Sequence, residues 1–107
     1  MPWSTERHRV FIVQENGRDS IDVTPDYLPI SRGDEIMFQV VGEKGAFHVR
    51  PETEVFERVR AGGEIAVERG ISPVHRVSRE VPIGSVHRYE IVPREGESYD
   101  PVLIIYR

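Results

Sequence analysis

Short runs in which hydrophobic and polar residues alternate follow one another along the chain, separated by residues that favour turns. In the run EIMFQVV, residues 35–41, Ile36, Phe38 and Val40 share one face and the residues between them share the other. Because successive side chains of a β-strand point to opposite faces, this period of two predicts a strand with one face in a core. The 8 prolines and 9 glycines interrupt every stretch that could form a stable helix. The pattern therefore predicts an all-β protein.

The turn signals divide the chain into about seven or eight short strands at regular spacing. The sequences of the predicted strands are RVFIVQ, DSIDV, EIMFQVV, AFHVR, GGEIAVE, HRVSREV, SVHRYEIV and PVLIIY. The run EVFERV at 54–59 fits either a further strand or a single helical turn. Strands of this kind favour an antiparallel β-sandwich or barrel, and the 107 residues are predicted to form a single domain, 1–107.

Two turns are predicted to close hairpins. Asn16 and Gly17 favour the positive φ angles of a tight turn between the first two strands. The Pro82–Gly84 turn stands between HRVSREV and SVHRYEIV, and we expect those two strands to pair. Trp3, just before the first strand, is expected to cover one end of the core.

The last strand and two other runs differ in how much of their surface is apolar. Residues Val102 to Tyr106 are apolar almost throughout, which predicts a strand inside a sheet and covered on both faces. The runs EIAVE and HRVSRE alternate small or apolar residues with charges, as edge strands do. A homodimer that pairs through such a sheet edge is consistent with the sequence.

Charge and composition exclude several classes of function. The chain has 14 basic and 18 acidic residues, a net charge of −4, and the two signs alternate, so it offers no basic cluster to nucleic acid or an anionic membrane. The absence of cysteine excludes disulfides, thiolate nucleophiles, zinc–thiolate sites and iron–sulfur clusters. No apolar stretch approaches the ~20 residues of a membrane helix. We therefore expect a soluble cytoplasmic protein, although a chain whose signal peptide has been removed would have the same composition.

From Leu28 to Glu52, a proline-bearing turn precedes Gly33-Asp34, a strand and His48, and from Val81 to Tyr106 a glycine turn precedes two strands. These two segments resemble the cupredoxin family of blue-copper proteins. The first, LPISRGDEIMFQVVGEKGAFHVRPE from Leu28 to Glu52, is similar to a proline-bearing turn, a Gly-Asp, a strand and a loop that ends in a histidine. The second, VPIGSVHRYEIVPREGESYDPVLIIY from Val81 to Tyr106, is similar to the family's last two strands, where an aromatic-x-cysteine motif ends a strand. The resemblance implies a Greek-key β-sandwich, and it places His48 at the position of the first copper ligand.

The chain departs from this family at the copper site. Tyr89 matches the family's aromatic residue, so Ile91 falls where the copper cysteine would be. The loop 92–101 contains no histidine and no methionine, which leaves His48 as the one ligand of four that is retained. A blue-copper centre needs a thiolate, two imidazoles and a weak axial thioether. The residues therefore exclude electron transfer of that type, and the resemblance implies a cupredoxin-like domain without its metal.

Four histidines remain as candidate ligands. His48 could bind copper(II) or a similar metal with carboxylates or another histidine, or it could be an inherited residue hydrogen-bonded to a nearby loop. His75 and His87 could form a two-histidine site, but a short hairpin would place Ser78 rather than His75 next to His87. His8, on the first strand, is expected to be a surface residue.

The loop PREGESYDP, residues 93–101, is rich in oxygen donors but lacks the spacing of a calcium loop. We expect a solvated loop shaped by Pro93, Gly96 and Pro101. Tyr99 and Arg94 on this loop are residue types that often anchor protein contacts.

No known catalytic motif is present: a nucleophile elbow, an HExxH pair and a P-loop are all missing from the sequence. We therefore expect a non-catalytic binding or structural module with a protein partner of unknown identity and no cofactor. The alternative is a metal-binding protein with a non-thiolate copper(II) or similar site that involves His48. An enzyme of unknown type is the third hypothesis.

Overall fold

The computed structural model describes residues 5–14, 21–41, 47–67, 70–94 and 96–107. These segments form nine strands and no helix, which confirms the predicted all-β class for the described residues. The strands are β1 Arg7–Val13, β2 Asp22–Thr24, β3 Tyr27–Ile30, β4 Glu35–Val41, β5 Phe47–Pro51, β6 Ile65–Val67, β7 His75–Arg76, β8 Val86–Pro93 and β9 Val102–Ile105. None of the described segments forms a helix long and apolar enough to span a membrane.

The strands are arranged in two mixed sheets. One has four strands in the order β2-β1-β4-β7, and the other has five in the order β3-β9-β8-β5-β6. β1 pairs with β4 in parallel, and β3 pairs with β9 in parallel, whereas the remaining pairs are antiparallel. The prediction of a purely antiparallel sandwich is therefore wrong. Side chains alternate between faces in both kinds of pair, so the hydrophobic pattern could not distinguish them.

A single hydrophobic core lies between the two sheets. Its fully buried strand residues include Val10, Ile12, Ile36 and Phe38 from the four-stranded sheet and Ile30, Val49, Val67, Ile91, Leu103 and Ile105 from the five-stranded sheet. The rings of Phe38 and Tyr89 meet across the core edge to face, with 5.6 Å between their centroids. Burial of each such side chain contributes roughly 1.5–3 kcal/mol.

The strand pattern along β4 and the position of β9 follow the sequence closely. Ile36 and Phe38 face the core, and Val41 on the other face is 41% exposed, whereas Met37 on that other face is also buried. β9 lies between β3 and β8, inside its sheet as predicted. Its outer residues Val102 and Ile104 are only half-buried, so the prediction that both faces are covered is wrong.

Hairpin predictions had two different outcomes. β1 and β2 pair antiparallel, with Phe11 opposite Thr24, while the Asn16-Gly17 turn and Trp3 lie outside the described residues. The predicted pairing of HRVSREV with SVHRYEIV is wrong, because β7 pairs with β4 in one sheet and β8 pairs with β5 and β9 in the other. The turn at Gly84, with φ of 86°, connects the two sheets. β6 and β7 are edge strands, as predicted.

Candidate binding cleft

His48 lies on the outer face of the five-stranded sheet. It stands opposite Ala66 of β6 and Val92 of β8, and its side chain is 49% exposed. Ile91 stands opposite Val49 and is fully buried in the core. The two positions that the resemblance assigns to copper ligation therefore lie on opposite faces of the sheet.

The carboxylate nearest to His48 is already engaged by an arginine. Glu64 Oε2 lies 3.4 Å from His48 Nδ1, and Glu64 Oε1 accepts a hydrogen bond of 2.7 Å from Arg50 Nη2. Arg50 also lies 3.4 Å from Glu90 Oε1. The Arg50 hydrogen bond, and next the charge of His48, lower the pKa of Glu64. In this exposed cross-strand network the Glu64 carboxylate beside His48 is already engaged by Arg50, and the role of His48 as a metal ligand stays a prediction.

His8 is half-buried rather than a surface residue, and it contacts a buried carboxylate. Its Nε2 lies 3.0 Å from Asp34 Oδ2 and 3.9 Å from Glu6 Oε2, and the three groups lie within 4.8 Å of one another. Asp34 is 2% exposed and accepts the backbone N–H groups of Ser31 and Glu6, each at 3.1 Å. These bonds join the Ser31–Asp34 turn to the start of β1. We interpret the group as a structural clamp, because both carboxylate oxygens of Asp34 are already hydrogen-bonded.

An open cleft of about 500 Å³ lies between the loop after β5 and the loop before β8. Its floor is apolar, with Phe56 and Val81 buried and Val59 half-buried. Its lining residues are Glu54, Phe56, Arg58, Val59, Arg60, Ser78, Glu80, Val81, Pro82 and His87. We call this feature the cleft.

Backbone bonds hold the two loops of the cleft together. Phe56 and Val77 form an isolated antiparallel bridge, so EVFERV is neither a regular strand nor a helical turn. Next to this bridge, the Ser78 N–H donates to the Val55 carbonyl at 2.8 Å, and the Glu57 N–H donates to the Arg76 carbonyl at 2.8 Å. The loops are therefore fixed to each other at the base of the cleft.

Two arginines on the cleft wall have unused hydrogen-bond donors. Arg58 and Arg60 are exposed, and neither guanidinium forms an ion pair or a hydrogen bond with any described residue. Glu54 and Glu80 line the same cleft without pairing to these arginines. Arg58 has φ of 66°, a left-handed conformation that costs a non-glycine residue roughly 1–2 kcal/mol. The positive charges of Arg58 and Arg60 and the left-handed backbone of Arg58 together distinguish this wall of the cleft from an ordinary loop.

His87 forms the inner wall of the cleft and is hydrogen-bonded on both ring nitrogens. Its Nδ1 lies 2.6 Å from Thr53 Oγ1, and its Nε2 lies 2.7 Å from Ser85 Oγ. The Ser85 hydroxyl also lies 2.5 Å from the Pro82 carbonyl, which can only accept. Ser85 therefore donates its single proton to Pro82 and accepts from the Nε2–H of His87. Nδ1 then accepts from Thr53, so the neutral imidazole is fully satisfied.

This bonding pattern bears on what His87 can do. A serine nucleophile must donate its proton to the histidine that activates it, whereas Ser85 donates to a carbonyl. Burial also lowers the pKa of His87, which favours the neutral form. The histidine is thus arranged as a structural hydrogen-bonding residue beside the cleft.

The cleft was not predicted from the sequence. His75 is on β7 opposite Ile36, in the other sheet from His87, so the hairpin on which a two-histidine site would depend is not formed. Ser78, which the predicted hairpin placed near His87, does line the same cleft. Residues 54–60 and 78–82 are far apart in sequence, and neither carries a recognisable binding motif.

The loop at 93–101 is exposed at most of its described residues but anchored, since Pro93 and Pro101 are buried and Tyr99 is half-buried. Tyr99 Oη donates to Asp26 Oδ2 at 2.7 Å, and Tyr99 and Ile91 exchange two backbone hydrogen bonds of 2.8 and 3.0 Å. Gly96 has φ of 106°, which a residue with a side chain rarely adopts. Arg94 is exposed, whereas Glu95 lies outside the described residues.

No protein-family model matches the chain, and a search of curated proteins finds no match. Function must therefore be inferred from the geometry of the molecule itself.

Proposed function

We propose that the protein is a non-catalytic binding module with a cupredoxin-like fold, and that the cleft receives a segment of a protein partner. The segment would present one acidic side chain next to an apolar side chain. The observation that carries this proposal is the pair of exposed arginines, Arg58 and Arg60, which have no acidic partner among the described residues and lie beside an apolar floor.

The chemistry of the cleft specifies this kind of segment. A guanidinium with free N–H groups binds a carboxylate through two parallel charge-assisted hydrogen bonds. An apolar side chain placed on Phe56 and Val81 would be removed from water at about 25 cal/mol per Å². Glu54 and Glu80 on the same cleft repel a uniformly anionic ligand such as nucleic acid. A polypeptide with a single acidic group satisfies all three conditions.

The hydrogen bonds of the histidines support a role without catalysis. His87 holds a neutral imidazole between Thr53 and Ser85, and His8 contacts the buried carboxylate of Asp34. The two-sheet sandwich and the two sequence segments that resemble cupredoxins support the fold assignment. Isoleucine at position 91 removes the sulfur donor that a blue-copper site requires.

A nuclear magnetic resonance titration tests the cleft with defined probes. N-acetylphenylalanine combines a carboxylate with an apolar ring, and its amide is the matched probe without charge. We expect the acid to shift the signals of Arg58, Val81 and His87, and the amide and inorganic phosphate to bind more weakly. Replacement of both Arg58 and Arg60 by Ala should weaken binding by about tenfold or more, the loss of a charge-assisted contact.

The control variant is Arg9→Ala. It removes an exposed arginine on β1 that does not line the cleft. It should bind the acid as the unsubstituted protein does. Equal binding of the acid by the double arginine variant would remove the proposal, as would shifts that map to another face of the molecule.

A further inference from the structure

The outer face of the five-stranded sheet is apolar across β3, β9 and β8 except at Arg88. Tyr27 stands opposite Val102, which stands opposite Arg88. Its outward side chains, together with the residue after β9, are Tyr27, Pro29, Val86, Arg88, Val102, Ile104 and Tyr106. Tyr27 is 60% exposed, Val86 59% and Tyr106 50%. We call this surface the apolar face.

The apolar face differs from the outer surfaces elsewhere in the molecule. On β1 the outward residues include Arg7 and Arg9, and on β5 they are His48 and Arg50. A sheet face that points to water normally carries polar residues at alternate positions. A contiguous apolar surface of this kind marks an interaction site.

The free edge beside this face is closed to strand addition. The N–H groups of Val102 and Tyr106 donate to the carbonyls of Asp26 and Ile30, at 2.9 and 3.2 Å. In this parallel ladder, the backbone groups of Tyr27 and Pro29 therefore point to the free edge of β3. Pro29 has no N–H to offer, and a proline on an edge strand blocks pairing. A partner must stack on the face rather than extend the sheet.

The charges at the two ends of the apolar face are complementary to those of a second copy in the reversed orientation. Asp100 is exposed just before β9, and Arg107 is exposed just after it. Arg107 lies over the Tyr106 ring, 5.5 Å from its centroid, and Nε donates to Ser31 Oγ at 3.2 Å. A twofold axis across the strands stacks β9 on β9 in reverse, so Asp100 of each copy approaches Arg107 of the other.

We infer that the protein self-associates as a twofold dimer through the apolar face. Three strands spaced about 4.8 Å apart give a contact smaller than the standard interface of roughly 800 Å² per partner. The dimer is accordingly weak, with a dissociation constant on the order of 10 μM or higher. This inference uses a different surface from the cleft and does not depend on the proposed binding function.

Analytical ultracentrifugation over a wide range of protein concentrations tests the inference. The unsubstituted chain shifts from monomer to dimer as its concentration rises, and Val86→Lys abolishes this shift by placing two cations in the contact. Val41→Lys is the matched control, because Val41 is an exposed valine on the other sheet. It retains the dimer. A chain that stays monomeric throughout, or a Val86→Lys variant that still dimerises, overturns the inference.

A charge exchange provides a second readout that does not depend on the apolar residues. Asp100→Arg and Arg107→Asp each weaken the dimer, since each creates like charges across the twofold axis. The double variant restores dimerisation, because the two charges are exchanged in both copies. If the double variant dimerises no more tightly than the single variant with the lower dimer affinity, the twofold arrangement is overturned. Circular dichroism verifies that each variant folds.

Discussion

The hydroxyl of Tyr89 is buried in the core, and it has no hydrogen-bond partner among the described residues. Burial first, and then the nearby groups of Asp26 and Tyr99, raise the pKa of Tyr89, so the hydroxyl stays protonated. An unsatisfied buried hydroxyl costs about 1–3 kcal/mol. Its ring, by contrast, packs productively against Phe38.

We therefore predict that Tyr89→Phe raises the free energy of unfolding by about 1 kcal/mol, because the ring is kept and the unpaired hydroxyl is removed. Urea denaturation measures the change. Tyr99→Phe is the control: it removes the hydrogen bond to Asp26 and should lower the stability slightly. A destabilised Tyr89→Phe protein would contradict the prediction, since the hydroxyl would then have a stabilising partner.

The pKa values of two histidines, His75 and His87, are lowered from 6.5 by burial. Nε2 of His75 is in addition buried without a hydrogen-bond partner in the described segments. The unfolded chain therefore takes up these protons at a higher pH than the folded chain. The contribution of these two neutral histidines to the free energy of unfolding is fully present above pH 6.5. It is lost as the pH falls through 6.5 toward the lower pKa values of the folded state.

We predict that the free energy of unfolding falls between about pH 7.5 and about pH 5.5, and that His75→Gln/His87→Gln reduces this slope. Denaturant unfolding at several pH values measures the slope, and nuclear magnetic resonance titration of each ring gives its pKa. A folded-state pKa at or above the ordinary value for either histidine would contradict the assignment.

At the scale of secondary structure, one carboxylate holds the turn before β4 against the start of β1. Asp34 accepts hydrogen bonds from Ser31 and Glu6 and contacts His8, and it is almost completely buried. Parallel pairing brings these elements together, since Arg7 stands opposite Glu35. Loss of the carboxylate would leave buried N–H groups unpaired.

Asp34→Ala is predicted to lower the free energy of unfolding by about 2–4 kcal/mol, because the buried Ser31 N–H and the partly buried Glu6 N–H and His8 ring lose their acceptor. Asp100→Ala, an exposed aspartate, is the matched control and should change stability by less than about 0.5 kcal/mol. Thermal and urea unfolding of both variants give the comparison. Similar small effects for the two variants would show that the clamp is not stabilising.

Strand positions were predictable from the sequence, but strand partners were not. EIMFQVV revealed β4 because alternation is a property of one strand, and the charged runs around β6 and β7 marked edge strands. The same alternation occurs in parallel and antiparallel pairs, so the β1–β4 and β3–β9 pairings were hidden. For the same reason, the sequence predicts that β7 pairs with β8, whereas the two strands belong to different sheets.

At the scale of the whole molecule, the sandwich separates the positions that a copper site would bring together. His48 faces outward and contacts Glu64, whereas Ile91 faces the core. Copper(II) can stabilise the protein only if it binds the folded state selectively. His48 lies beside Glu64, and the Glu64 carboxylate is bonded to Arg50, so these two side chains are poor ligands for copper(II).

We predict that one equivalent of Cu²⁺ leaves the melting temperature unchanged. Differential scanning calorimetry with and without the metal provides the measurement. A clear rise that disappears in His48→Ala would favour the alternative of a metal-binding protein. The same rise lost in His8→Ala would instead place the metal at Glu6, His8 and Asp34.

The sequence by itself determined the all-β class, most strand positions and the lack of a cysteine thiolate for a blue-copper site, because these depend on residue types and local spacing. Only the tertiary structure decided the sheet partners, the cleft and the hydrogen bonds of His87. Each of these joins residues that are distant along the chain, such as Thr53 and His87. Which distant segments meet depends on how the whole chain buries its apolar faces, and no local pattern encodes that choice.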